Sequence, residues 1–143
     1  MKRIGQHEYF IGIAKTVSRR SACLSRQVGC VLVDKHNHIL ATGYNGPPSG
    51  VDHCALCHRK ESGRDLYDCM AVHAEMNALL QCPNVQEIVI AYVSVNPCKI
   101  CMRLLANTPC QIIAFKDVYT TQSLSDFTRF WQGRLGRKII KVR

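Results

Sequence analysis

The sequence predicts an α/β protein in three layers, α/β/α, with a mixed central sheet of about five strands. Three observations predict it. An amphipathic opening segment is followed by two apolar runs parted by four polar residues. Helical and strand-like segments then alternate to the end of the chain. One of those strand-like runs, Ile88 to Val95, alternates too weakly to have a wet face, which places it centrally in a covered sheet.

In order, Phe10, Ile13, Ala14 and Val17 fall at helical spacing and predict a helix from roughly residue 6 to 18. Val28 to Val33 and Ile39 to Tyr44 flank Asp34-Lys35-His36-Asn37 and read as a β-hairpin. Gly43-Tyr44-Asn45-Gly46-Pro47-Pro48-Ser49-Gly50 cannot continue a strand and reads as an ordered loop. From about 51 to 70 the chain is irregular and rich in His, Cys and charge. A mostly buried helix is expected from about 72 to 81, stopped by Pro83. After the central strand, Pro97 opens a helix running to about Ala106, and Gln111 to Phe115 is a further strand. Ser123 is the expected N-cap of a helix to Trp131 ended by Gly133, and Ile139 to Val142 makes the last strand. No repeat or linker interrupts this order, so residues 1–143 read as one domain.

A chain of 143 residues, 47% apolar, can bury a sizeable core. No apolar run is long enough to span a membrane, and the N-terminus lacks an apolar signal core, which predicts a cytoplasmic protein with no membrane partner. Nineteen Lys and Arg against ten Asp and Glu give a formal charge of +9. That surplus attracts anions, whether nucleotides, phosphates, nucleic acid or an acidic partner, and does not choose among them. With a single Trp and no basic stripe interleaved with aromatics, single-stranded nucleic acid is the weaker partner. Nine cysteines without a secretion signal favour metal ligation over disulfides.

Two segments supply the spacing: His73-Ala74-Glu75 and Pro97-Cys98-Lys99-Ile100-Cys101. Each lies at the expected start of a helix. Cys98 and Cys101 share one helical turn and can aim both sulfurs at one ion, while free N–H groups at the helix start favour thiolates. His73 supplies a third donor, and three protein ligands leave a tetrahedral zinc one position for water, the pattern of a catalytic site. Glu75, two residues from a ligand, can collect a proton from that water without ligating the metal. Alone, C-x-x-C fits a redox pair or half a structural zinc site equally well, and H-x-E is common by chance. Together they form the H-x-E…P-C-x-x-C signature of zinc nucleobase deaminases.

With these motifs the chain resembles the cytidine deaminase superfamily, and within it the deoxycytidylate (dCMP) deaminases. The likeness covers roughly residues 6 to 120. It includes Ser21-Ala22-Cys23-Leu24-Ser25-Arg26-Gln27-Val28-Gly29, the loop Gly43 to Gly50, His73-Ala74-Glu75-Met76-Asn77-Ala78, and Tyr92-Val93-Ser94-Val95-Asn96-Pro97-Cys98-Lys99-Ile100-Cys101. The Gly-Tyr-Asn-Gly-x-Pro-x-Gly loop separates these enzymes from free-nucleoside and tRNA relatives. The resemblance implies hydrolysis of dCMP to dUMP and ammonia, a step toward thymidylate, by a zinc-activated water attacking C4 of the base. Glu75 would take the water proton, pass it to N3 and protonate the departing amine. Asn45 would contact the sugar, Ala74 and the backbone near Val95 would border the base, and Arg26 is the candidate cation for the 5′-phosphate. The resemblance further implies a homo-hexamer, activated by dCTP and inhibited by dTTP with Mg2+. Tyr44, Gly46 and Gly50 would serve that regulatory site. Asn96 departs from many relatives, and nothing carries over to the stretch after Tyr119.

Relatives also imply a second, structural zinc near Cys23 and Cys54, with Cys57 and Cys69 completing it and His58 or His53 as substitutes. Cys30, Cys82 and Cys110 lie in apolar contexts and read as core thiols. Two other readings stay open at this point. One is a deaminase of free cytidine or deoxycytidine, or of a base in single-stranded nucleic acid. The other is a non-catalytic zinc module that binds nucleic acid, which would leave Glu75 idle.

Overall fold

Why the first helix forms is visible in its burial. In a computed structural model describing residues 1–55, 57 and 69–143, helix α1 (Gln6–Ser18) buries Phe10, Ile11 and Ala14 as one stripe. Strands β1 (Gly29–Val33) and β2 (Ile39–Tyr44) follow as an antiparallel hairpin. Their turn is closed by Asp34, whose Oδ1 accepts from the backbone N–H groups of His36 and His38 at 2.8 and 2.9 Å. Asn37 takes the left-handed backbone the turn needs, with φ 64°.

Helix α2 (Ala74–Gln81) is shorter at its start than the sequence suggests, because His73 sits outside it as the extended N-cap. A 3₁₀ turn at Val85–Glu87, capped by the Asn84 side chain, precedes strand β3 (Ile90–Val95) and delays it from the expected Ile88. Cys98 caps helix α3 (Lys99–Ala106), and β4 (Ile112–Asp117) follows. The next helix corrects the expectation at both ends. Thr120, not Ser123, caps α4 (Thr121–Thr128). Thr120 accepts from the Ser123 N–H, while the Ser123 hydroxyl accepts from the Thr120 N–H, each at 3.0 Å. Ser123 is therefore the inner partner of a capping box. Gly133 does not end the helix either. The chain runs on as a π turn through Arg129–Arg134 and closes at Gly136, with φ 64°, before β5 (Lys138–Lys141).

The five strands lie in the order β2-β1-β3-β4-β5, antiparallel through β3 and parallel beyond it. Alternation sorts their side chains into two cores. Val31, Val33, Ile90, Tyr92 and Ala114 meet α1 on one face. Cys30, Leu32, Ala91, Val93, Ile113 and Phe115 face the other way. There they pack with Ala74 and Ala78 of α2, Met102 and Leu105 of α3, and Phe127 and Trp131. The sheet is mixed and covered on both sides, as the sequence predicts. Strand β3 is buried along its whole length at the centre. Among the described residues, no helix is long and apolar enough to cross a membrane.

The parallel β3-α3-β4 crossover leaves an opening beyond the C-terminal ends of β3 and β4, where open α/β sheets characteristically bind ligands. Helix α2 reaches that opening by passing over β2 at Gly43. A Cβ there would run into the Ala74 carbonyl oxygen and the Ala78 amide of α2, so only glycine permits this approach.

Candidate metal centre and pocket

Two N-caps converge at the opening. His73 and Cys98 both take the extended conformation of a cap, and Cys101 lies one turn into α3. The Nδ1 of His73 lies 3.4 Å from the sulfurs of both Cys98 and Cys101. Zinc bonds of about 2.05 Å to nitrogen and 2.3 Å to sulfur at tetrahedral angles place such atoms about 3.6 Å apart, so the donors fit that ion closely. Among the described residues these three form the one group of His, Cys, Asp or Glu gathered tightly enough to hold a metal, with all donor atoms within 4.8 Å of one another.

Electrostatics match the geometry. The Cys101 thiol donates to Cys98 and, with help from His73 and the Cys101 backbone N–H, holds Cys98 down to about 4. Cys101 is raised for the complementary reason, because its proton is shared with Cys98 and its sulfur is buried. A divalent cation bound by both sulfurs would displace whatever thiol proton remains. Glu75, 4% exposed, stands beside them. Burial pushes its carboxyl above the ordinary value, and the Cys98 charge adds to the rise.

His73, Glu75 and Cys98 line a cavity of about 400 Å3, within the roughly 300–1,000 Å3 usual for small-molecule sites. Of the other expected substrate contacts, Arg26, Asn45, Ala74 and Val95 all line it. Asn45 is already engaged: its Nδ2 donates to the Arg26 carbonyl and its Oδ1 accepts from the Val28 N–H, both at 2.8 Å. The side chain thereby shapes the loop that carries Arg26. The Arg26 guanidinium lies over the Tyr119 ring, 4.4 Å from its centroid. Asn96, Tyr119, Ser123 and Asp126 also line the cavity, and none of them was expected at the site from the sequence. The T-x-x-S capping box at 120–123 was the available signal that a helix starts at the pocket wall.

A second cavity of about 180 Å3 is lined by Cys23, His53, Cys54, Cys57 and Cys69 together with Gly46. Cys23 and Cys69 line both cavities. His58 lies outside the described residues. Gly46 pairs through its backbone with Val72, Gly50 takes a φ of 85°, and Tyr44 is exposed. Cys30 and Cys110 are fully buried core thiols, with burial pushing Cys110 up to about 12, while Cys82 is half-buried at the edge of the same core.

Fold and donor set together define a class, the zinc proteins whose three protein ligands leave a coordination position for chemistry. Residues 4–116 match the cytidine and deoxycytidylate deaminase zinc-binding region, and the chain belongs to that family. The deoxycytidylate deaminase of Mycobacterium phage D29 is 40% identical over 117 residues, covering 74% of this chain and 90% of that protein. The probable deoxycytidylate deaminase of Caenorhabditis elegans is 39% identical over 112 residues, or 77% of this chain, which spans only 56% of the nematode protein. The dCMP deaminase of cyanophage S-TIM5, solved in complex with dCMP and dUMP, superposes with a TM-score of 0.78 at 25% identity. That match covers 99% of this chain and 100% of the phage chain.

Proposed function

We propose that this chain is a hydrolase that converts dCMP to dUMP and ammonia. One observation carries the reading: a buried carboxylate, Glu75, lines a nucleotide-sized cavity together with Arg26 and with His73 and Cys98, whose donor atoms gather with that of Cys101. His73, Cys98 and Cys101 would hold the zinc ion, which would supply a bound water with its pKa lowered to about 7. Glu75 would take one proton of that water as its oxygen adds to C4 of the cytosine and deliver it to N3, then carry the proton of the new C4 hydroxyl to the amino group, which leaves as ammonia as C4 becomes a carbonyl. Ala74 and the Val95 backbone border the base. Asn45 positions the Arg26 loop, and its Oδ1, with a second lone pair, can accept from the sugar. Arg26 receives the 5′-phosphate, for which a guanidinium fork is well suited. Turnover of dCMP, deoxycytidine and an oligonucleotide compared side by side tests this. Preference for dCMP is expected, and preference for the oligonucleotide overturns it.

The same proposal extends to three further features. A second, structural zinc would be held by Cys23, Cys54, Cys57 and Cys69, which line one cavity with His53, although among the described residues the structure does not gather their sulfurs to the spacing of a metal site. Metal analysis should then return two zinc ions per chain. Regulation by dCTP as activator and dTTP as inhibitor, with Mg2+, acts through the loop of Tyr44, Gly46 and Gly50, and assays with and without each nucleotide test it. Self-association, as in the homo-hexamer that the resemblance implies, is supported by apolar side chains left exposed on two helices, Leu80 on α2 and Leu104 on α3. Light scattering in solution reads its mass directly.

A further inference from the structure

Asn96 is only 4% exposed, and its carboxamide bonds to Tyr119 and Ser123, which line the same cavity. Its Oδ1 accepts from the Tyr119 N–H at 2.8 Å, and its Nδ2 donates to the Ser123 hydroxyl at 3.2 Å. Its own N–H donates to the Asp117 carbonyl at 3.0 Å. One side chain, placed immediately before Pro97 and Cys98, therefore ties the metal-bearing turn to the turn that opens α4.

The consequence travels one contact further. Tyr119 leaves this turn with its ring under the Arg26 guanidinium. An arginine on a loop samples many rotamers, and a ring face beneath it removes most of that freedom while leaving the edge donors exposed. The Arg26 carbonyl is separately held by Asn45. The Arg26 backbone is thus fixed by Asn45, and its head group by Tyr119. Without Asn96, the Tyr119 N–H and the Ser123 hydroxyl would each lose a partner at a part-buried junction.

The geometry points to Asn96 as the positioning residue that, through Tyr119, aims Arg26 at a 5′-phosphate and so sets the preference for a nucleoside monophosphate over the free nucleoside. This rests on the proposed reading of the pocket as a nucleotide site. Asn96 itself does not touch the phosphate; it fixes the turn, the ring and then the cation.

Steady-state kinetics on dCMP and deoxycytidine test the chain of contacts in Asn96→Ala, Tyr119→Leu, Arg26→Ala and the double variants with Arg26→Ala. Asn96→Ala and Tyr119→Leu should each raise KM for dCMP by about tenfold, the size of a partly desolvated cation–π contact. The loss should fall on KM for dCMP rather than on kcat, and deoxycytidine should be spared. Once Arg26 is alanine, neither second substitution should weaken dCMP binding further, because the group they aim is gone. Equal losses on both substrates, or losses that add fully to that of Arg26→Ala, overturn the proposal, since a residue that only supports the fold behaves that way. Tyr119 is 43% exposed, so its replacement carries the same test if Asn96→Ala fails to fold. A parent enzyme that prefers deoxycytidine to dCMP defeats the nucleotide reading itself, and the positioning chain with it, before any variant is made.

Discussion

The two ends of the main cavity are built in opposite ways. At the metal end, His73, Glu75, Cys98 and Cys101 come from two helix starts, and each motif is complete within a few residues. At the other end, Arg26, Asn45, Asn96, Tyr119 and Ser123 come from segments far apart in sequence and meet through single long-range contacts. On the proposed reading, chemistry sits where local structure guarantees the geometry, and recognition sits where tertiary structure assembles it and a single substitution should retune it without disturbing the metal donors.

The sharpest way to break this contrast is at the metal end. Glu75→Gln keeps the side-chain shape and leaves all three metal donors in place, so zinc content should match the parent protein. Turnover of dCMP should fall by about a hundredfold to ten-thousandfold, the contribution typical of a general acid–base group. Zinc quantitation alongside the assay separates the two effects. Unchanged turnover with zinc retained would remove Glu75 from the chemistry and overturn the mechanism proposed for it.

That division also explains what could be read from the sequence. His73-Ala74-Glu75 and Pro97-Cys98-x-x-Cys101 were legible because metal ligands at helix starts obey short-range spacing, and the structure brings their donors together. Strand β3 was legible because a fully buried strand shows an unbroken apolar run. Arg26 could be singled out by resemblance, but its partner Tyr119 could not, since no local pattern links residues separated by most of the chain. Asn96 looked like a departure from relatives and proved to be a bridge. The helix at 121–128 was expected, yet its cap was misplaced by three residues, because Thr120 and Ser123 are both good capping residues and only the extended backbone of Thr120 decides between them.

A packing prediction follows from how the metal end is held. Gly43→Ala would drive a methyl group into the Ala74 carbonyl and the Ala78 amide, both backbone atoms that cannot turn aside. Helix α2 must shift, at a cost of about 1–3 kcal/mol. Since α2 begins directly after His73 and carries Glu75, zinc affinity and turnover should fall together with stability. Gly46→Ala is the comparison: nothing lies within 4 Å of a Cβ built there, so its melting temperature should stay close to the parent value. A harmless Gly43→Ala would mean that α2 is not fixed by this contact. Denaturant unfolding and zinc titration of the two variants decide it.

The smallest effect is expected where the two ends touch. Lys99, next to the ligand Cys98, pairs with Asp126 of α4 at 3.4 Å, and the Gln122 amide donates to the same carboxylate at 2.9 Å. The Gln122 hydrogen bond, with the Lys99 charge behind it, holds the Asp126 carboxyl below its ordinary value. A carboxyl depressed in the folded state contributes stability above its unfolded pKa of about 3.9 and loses it as pH falls through the lower folded value. Asp126→Asn keeps an oxygen for Gln122 and removes only the charge. Its melting temperature should lie slightly below the parent at neutral pH, and the two curves should converge as pH drops below about 4. A gap that widens in acid would reverse the sign and refute the assignment. The same variant releases Lys99 at the cavity mouth, so KM for dCMP should fall, by no more than about twofold because water and salt screen an exposed cation. A rise in KM would mean instead that Asp126 holds the wall in place, making the ion pair part of the recognition end rather than a link between the two.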